Sequence, residues 1–180
     1  MFFLSFHVEI PHPVFFAMQP IFSNTAHPKT DGLIKQTINM STCTIPKYVY
    51  KLVPYDPASP IPLDPKALPD ALPVSAIDQS SGFIHLSTAT QLLGTLTHFF
   101  ASDARVYVLR VPYSPLASQG LIQWDDPERA VCGERPSEGT FPHLYNGLRL
   151  GRAEVDGVWV LARGGEGWEG AVRAAEWLAC

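Results

Sequence analysis

Hydrophobic and polar positions form short periodic runs from residue 48 onward, some with strand-like and some with helix-like spacing. The segments YVYKLV (48–53) and ARVYVLRVP (104–112) are rich in β-branched and aromatic residues, which is typical of strands. The segment TATQLLGTLTHFFA (88–101) instead has helical spacing, with an apolar side made of Leu92, Leu96, Phe99 and Phe100. Thr88 and Gln91 resemble a capping box at the start of this predicted helix.

Shorter runs predict further elements. GFIHL (82–86) and GLIQW (120–124) have the composition of short strands. The segment 143–162 contains turn signals at Asn146-Gly147 and Asp156-Gly157, and a last helix is predicted over roughly 168–179.

Proline interrupts the pattern between residues 54 and 75. Such a segment cannot hold a central strand or a long helix, so we expect at most a short turn at 65–68. About five to seven short strands and two or three helices remain, without regular alternation along the chain. This arrangement predicts an α+β domain.

The first 45 residues differ from the rest, since prolines and scattered aromatic residues occur there without a sustained period. We therefore expect residues 1–45 to be a poorly ordered or non-native extension, and residues 46–180 to form a single domain. A related hypothesis is that translation starts at Met40, which would place residues 1–39 outside the functional unit. The mass of the protein from its native source tests this hypothesis.

Composition limits the classes of function. Hydrophobic residues make up 46% of the chain and charged residues 17%, which suits a folded domain rather than a disordered one. The net charge of −4 gives no basic footprint for duplex nucleic acid. Three cysteines without metal-ligand spacing favour a reducing compartment, so we expect a cytoplasmic protein. No run is long and apolar enough for a membrane span, and no metal site is predicted.

His85 is the first candidate for chemistry, because it lies in a predicted strand just before a predicted helix. Strand alternation places Phe83 and His85 on one face of that strand. A helix N-terminus favours an anion or phosphate, and Ser87 and Thr88 would add hydroxyl donors. The alternative is structural: the hydroxyls cap the helix, and His85 bonds a backbone carbonyl.

A second candidate cluster lies in GTFPHLYNGL (139–148), which contains Phe141, His143 and Tyr145. Alternation places an aromatic ring, an imidazole and a phenol on one side of a strand, which suits a ring-bearing ligand. The alternative is that these residues pack in the core. Trp124 likewise either lines the ligand site or seals the core.

Other polar groups are interpreted as surface. His98 lies away from the apolar stripe of its helix and is expected to be solvated. The acidic segment from Asp125 to Glu138 is interpreted as a charged surface loop rather than a catalytic carboxylate pair.

The motifs DQSSGFIHLSTATQLLGTLTHFF, VYVLRV, a QW with an acidic neighbour and FPHLYNGL together resemble the DUF952 family of small proteins. The resemblance covers roughly residues 48–161. The family's last motif usually has a proline after the HLYG glycine, whereas here Asn146 precedes Gly147 and no proline follows. Asp125 stands where the family tends to carry glutamate.

The resemblance implies an ADP-ribosyltransferase-like fold, in which a small, curved and split sheet holds NAD, with distant similarity to RNA 2'-phosphotransferases. Under this resemblance His85 would bond the ribose next to nicotinamide. Ser87 and Thr88 would meet the ribose or phosphate, and His143 and Tyr145 would face the same site. No glutamate of this chain can be assigned to the acidic position of many ADP-ribosyltransferases, which argues against protein modification.

Two classes of function therefore stay open. One is an NAD-using transferase or hydrolase in which His85 and His143 act as catalytic residues, with NAD as the substrate. The other is a non-catalytic domain that binds a nucleotide, a metabolite or a protein partner. A short RNA end is a further ligand to consider only if Arg105, Arg110 and Arg149 converge.

Overall fold

The structure, a computed structural model, describes residues 45–125 and 139–179. The expectations for residues 1–44, and those for the acidic segment from 126 to 138, lie outside this part of the chain. Within it the strands are β1 (Tyr48–Pro54), β2 (Ile84–His85), β3 (Arg105–Pro112), β4 (Ile122–Asp125), β5 (Phe141–Leu144) and β6 (Gly157–Ala162). The helices are α1 (Ala76–Ser81), α2 (Leu92–Phe99), α3 (Tyr113–Ala117) and α4 (Glu169–Arg173).

The strands form two antiparallel sheets of three strands each, in the orders β1-β3-β6 and β2-β5-β4. The predicted α+β class is confirmed. The β3 strand lies at the centre of the first sheet, where Leu109 pairs with Lys51 on one side and Val158 on the other. In the second sheet β5 is central, and His143 pairs with His85 of β2 and Gln123 of β4.

Alternation along β1 and β3 gives the first sheet two apolar faces, each with its own core cluster. One cluster contains Val49 and Leu109 together with Ile84, Trp124 and Leu144 of the second sheet, so it packs the two sheets together. The other cluster joins the opposite face of the first sheet to one side of α2 and to the region of α4; it includes Tyr50, Val108, Leu92, Leu96 and Trp168.

The hydroxyl of Tyr50 closes the second cluster by bonding the backbone near the end of the described chain. It donates to the carbonyl of Ala179 at 2.8 Å and accepts from the Ala179 N–H at 2.9 Å. Burial of a phenol normally requires such a partner, because an unpaired hydroxyl in the core is costly. Residue 179 is thereby fixed against β1.

Helix α2 differs from its prediction at both ends. It begins at Leu92, because Thr88 and Gln91 close a turn ahead of it: the Thr88 N–H donates to Gln91 Oε1, and the Gln91 N–H donates to Thr88 Oγ1. Leu92 and Leu96 are buried as predicted. Phe99 was predicted on the apolar side of the helix, but it is 66% exposed in the structure. The buried stripe therefore ends one turn earlier, at Leu96.

Two predicted elements are shorter in the structure, and two helices were not predicted. The strand expected over GFIHL is reduced to Ile84–His85, and the last helix covers only Glu169–Arg173. Helices α1 and α3 have six and five residues, too few to show an apolar period. The turn predicted at 65–68 is present as the 3-10 turn Pro65–Ala67. Among the described helices, none has the length and apolarity needed to cross a membrane.

Candidate functional site

The central feature is a pair of neighbouring imidazoles on one face of the second sheet. His85 of β2 and His143 of β5 are direct partners in the antiparallel pairing. Ile84 and Leu86 are buried in the core, so the alternate residues Phe83 and His85 project from the opposite face, as predicted. The two imidazole centroids lie 5.1 Å apart with an interplanar angle of 73°.

His85 is held by Asp78 of helix α1. The Oδ1 atom of Asp78 accepts from the His85 backbone N–H at 3.0 Å and lies 2.8 Å from the ring Nδ1. The other oxygen, Oδ2, accepts from the Lys51 ammonium at 2.5 Å and from the Ser75 hydroxyl at 2.7 Å. Both oxygens of the buried Asp78 carboxylate therefore have hydrogen-bond partners.

His143 has a carboxylate partner of its own, Asp125 at the end of β4. The Asp125 Oδ2 atom lies 2.7 Å from the ring Nδ1 of His143 and accepts from the Tyr145 hydroxyl at 3.0 Å. Both Asp125 and His143 are buried. Each histidine of the pair is thus oriented through Nδ1 by a separate aspartate.

Phe83 covers one side of this arrangement. Its ring stacks on His143 with centroids 4.3 Å apart and an interplanar angle of 23°. The same ring lies 4.8 Å from the His85 centroid and 5.1 Å from that of Tyr145. We call Phe83, His85, His143, Tyr145, Asp78 and Asp125 the two-histidine site.

The electrostatics of the site define which ring nitrogen carries a proton. Burial would raise the pKa of Asp78, but hydrogen bonds from His85, Lys51 and Ser75 outweigh it and hold the pKa well below the ordinary value. An ionised carboxylate only accepts, so His85 Nδ1 must donate to it. At Asp125 the geometry leads to the same assignment: Oδ2 accepts from the Tyr145 hydroxyl and lies 2.7 Å from the Nδ1 of His143, which favours a protonated Nδ1 on that ring.

The neutral form is favoured for His143. Burial lowers its pKa, the hydrogen bond to Asp125 partly opposes this, and the nearby His85 lowers it further. With a proton on Nδ1, a neutral imidazole presents a lone pair at Nε2. Within residues 45–125 and 139–179, neither Nε2 of the pair has a hydrogen-bond partner.

The Tyr145 hydroxyl keeps its proton at neutral pH and acts as a hydrogen-bond donor. Burial and the hydrogen bond to the Asp125 carboxylate raise the pKa of Tyr145 to about 12. Its proton is directed to Asp125, so the phenol supports the orientation of that carboxylate and, through it, of His143.

The structure does not bring Ser87 and Thr88 into the two-histidine site. Ser87 is buried, its hydroxyl bonds that of Thr95 at 3.0 Å, and its backbone pairs with Tyr50. The Thr88 hydroxyl bonds that of Thr90 at 2.9 Å and accepts from the Gln91 N–H. These contacts correspond to the structural alternative, in which the hydroxyls organise the turn before α2.

Trp124 and Phe141 occupy different positions. Trp124 is only 1% exposed, and its indole N–H donates to the Tyr113 hydroxyl at 3.1 Å, so it lies in the core between the sheets. Phe141 is half-buried on β5 and shares the strand face of His143 by alternation. Of the two, only Phe141 is on the side of the two-histidine site.

The sequence interpretation missed the carboxylates. Asp125 was assigned to a solvated loop, which is wrong: it ends β4 and is buried against His143. Alternation from the exposed Gln123 could have placed it on the face of the histidines. No local sequence pattern pointed to Asp78 or Lys51 as part of the site, because they lie on other elements, α1 and β1, that the fold brings to His85.

Two of the arginines considered for an RNA end, Arg105 and Arg110, contact other side chains of the described part of the chain. Arg110 donates from Nε to Asp156 at 2.8 Å, and the Arg105 guanidinium lies 4.1 Å from the Tyr55 ring centroid. In the described ranges, no group of three or more histidine, cysteine, aspartate or glutamate side chains is placed to hold a metal ion.

Comparison with known proteins identifies relatives of this chain. The family described as "Protein of unknown function (DUF952)" matches residues 66–158, a range that contains every member of the two-histidine site. The solution NMR structure of protein CC0527 from Caulobacter crescentus is 26% identical, with a TM-score of 0.50, over 72% of this chain and 97% of that chain. A crystal structure of CC0527 is 27% identical, with a TM-score of 0.48, over 67% and 91% respectively. No match was found among the curated proteins.

Proposed function

Because this chain belongs to the DUF952 family, whose description assigns no activity, we propose a function from its geometry: the two-histidine site binds the ribose of NAD or a related nucleotide. The reaction proposed is transfer or hydrolysis at that ribose. The observation that carries the proposal is the pair of Nε2 atoms, one from each ring, left without a partner in the described chain.

Two lone pairs on adjacent rings match a ligand with two neighbouring donors. The imidazole centroids are 5.1 Å apart, so the two rings are close enough for one ligand to contact both. A ribose presents adjacent hydroxyls that can donate, whereas the ionised pyrophosphate of NAD has only acceptors. The two-histidine site therefore favours the sugar over the phosphate.

The chemistry needs little covalent help from the protein. In the proposed reaction the bond between ribose and nicotinamide breaks, and its electron pair leaves with nicotinamide. Positive charge develops on the ribose, which is then attacked by an acceptor hydroxyl or by water. Orientation by His85 and His143, and the Asp125 carboxylate behind His143, would favour that charge. A neutral imidazole could take the proton that the attacking group loses.

Calorimetric titration of the full chain with NAD tests the binding step. We expect saturable binding by the wild type, and a loss of at least about tenfold in affinity for His85→Ala and His143→Ala. His98→Ala is the matched control, because His98 is exposed on α2 and belongs to no part of the site. A folded wild-type protein that fails to bind NAD, or single variants that bind like His98→Ala, would overturn the proposal.

Release of nicotinamide separates the two classes of function. A catalytic site should release nicotinamide from NAD at a rate that falls in both histidine variants. Binding without release would instead identify the chain as a non-catalytic nucleotide-binding domain. The affinity should also decrease as pH falls through the pKa of His143, which lies below the ordinary value, because protonation removes the Nε2 lone pair.

A further inference from the structure

Asp78 and Lys51 form a buried ion pair that joins the first sheet to the two-histidine site. Lys51 lies on β1 and is 8% exposed, and Asp78 lies on α1 and is 2% exposed. Their charged atoms are 2.5 Å apart. Lys51 shares the strand face of Val49, which packs into the cluster between the sheets. Its ammonium reaches Asp78 from that side.

An ion pair at this depth is a costly way to hold a fold. Removing two charges from water carries a desolvation penalty, and replacement by apolar residues of similar size is often neutral or stabilising. Stability alone therefore does not explain the pair. Burial lowers the pKa of Lys51 and Asp78 opposes this change, as expected for a cation kept charged by its partner.

The contacts of the other Asp78 oxygen, Oδ1, suggest why the ion pair with Lys51 is present. While Oδ2 is occupied by Lys51 and Ser75, Oδ1 accepts from the backbone N–H of His85 and is 2.8 Å from its ring Nδ1. One atom thus fixes both the main chain and the side chain of His85. This matters because β2 has only two residues, so its ladder does little to position the ring.

We propose that Asp78 is a positioning residue for His85, held by Lys51, and that it fixes the ring with Nε2 as the free acceptor. Asp78 acts through His85 and is not itself placed against a ligand. The assignment of a role in ligand binding rests on the proposed function, whereas the control of the His85 tautomer does not.

The tautomer of His85 can be measured without any ligand. In protein labelled with ¹⁵N-histidine, long-range proton–nitrogen correlations distinguish a protonated Nδ1 from a protonated Nε2, and His85→Ala identifies the signals. We expect a single Nδ1–H form for neutral His85 in the wild type. The double variant Lys51→Met/Asp78→Ala removes the acceptor together with the buried cation, and we expect it to show a mixture of both forms.

Two control variants separate this effect from a general loss of structure. Asp156→Asn removes a carboxylate paired with Arg110, away from the two-histidine site, and should leave the His85 tautomer unchanged. Asp125→Asn should alter the signals of His143 and leave His85 in the Nδ1–H form. If the folded double variant kept a single Nδ1–H form of His85, the positioning role would be refuted.

NAD titration of the same proteins shows whether the tautomer matters for binding. We expect the double variant to lose about tenfold in affinity or more, with Asp156→Asn unchanged. A wild type that binds no NAD, combined with the expected tautomer change, would refute the proposed function and leave the positioning role intact. An altered tautomer with unchanged NAD affinity would refute the part played by Asp78 in ligand binding.

Discussion

His85 and His143 are paired residues of adjacent strands, and their ring centroids are separated by only 5.1 Å. At that distance, a proton on one ring disfavours a proton on the other. The charge of His85 is one of the causes that lower the pKa of His143, after the larger effect of burial. The charge on the His85 ring therefore acts on the pKa of His143.

Replacing His85 by glutamine should raise the pKa of His143. The variant removes the ring whose charge contributes to the lowered pKa of His143 but leaves the burial of His143, so we expect a rise of less than about one unit. A proton NMR titration of His143 measures it. His98→Gln serves as the control, and an unchanged His143 titration in His85→Gln would show that the rings are not coupled.

Asp125→Asn should lower the pKa of Tyr145 from about 12 toward its ordinary value. Burial, the larger cause of the raised pKa, remains, while the hydrogen bond to an anionic carboxylate is lost. Absorbance of the phenolate during alkaline titration measures the change, and Tyr145→Phe identifies the signal. A Tyr145 that titrates identically with and without the Asp125 charge would contradict the assigned hydrogen bond.

Acid should destabilise the protein partly through Asp78. Its pKa is lowered in the folded state, so its contribution is present above the unfolded pKa of about 3.9 and is lost as pH falls through the folded pKa. Each unit of lowering corresponds to about 1.4 kcal/mol. Urea unfolding at about pH 6 and pH 3 should show a smaller loss in free energy of unfolding for Lys51→Met/Asp78→Ala than for the wild type. An equal loss in both proteins would argue against this role for Asp78.

Trp124→Phe should destabilise the fold without changing the two-histidine site. The smaller ring leaves space in the core, and the Tyr113 hydroxyl loses its indole donor. We expect the free energy of unfolding to fall by about 2 kcal/mol, with NAD affinity unchanged. Phe99→Ala, at an exposed position, should change stability by less than about 0.5 kcal/mol. A selective loss of NAD binding in Trp124→Phe would return Trp124 to the ligand site.

The sequence was sufficient to predict the elements whose pattern is local and strong. Strands β1 and β3 are long runs of β-branched and aromatic residues, and both occur where expected. Helix α1 could not be predicted in this way, because AIDQSS has no apolar period. Its ends are defined by other contacts: Ser75 caps the start, and Gly82, with a positive φ of 78°, ends it in the left-handed conformation.

In the two-histidine site, too, only the residues that lie in a local sequence pattern could be predicted. His85 and His143 stood out because each lies in a recognisable strand pattern beside aromatic residues. Their aspartates could not be matched to them by spacing, since Asp78 comes from the preceding helix and Asp125 from a strand at the far side of β5. The contact that favours a structural role for Ser87, the hydrogen bond of its hydroxyl with that of Thr95, was likewise not visible in the sequence.

The hydrogen bonds between the Tyr50 hydroxyl and the Ala179 backbone can form only late in the synthesis of the described chain. The two residues are separated by 129 positions, so β1 leaves the ribosome long before the backbone group that satisfies the Tyr50 hydroxyl. At roughly 5–20 residues per second, that interval lasts many seconds. Through this interval the Tyr50 hydroxyl lacks the backbone partner that it has in the folded chain. The backbone of residue 179 therefore satisfies the Tyr50 hydroxyl only after the intervening 128 residues have been made.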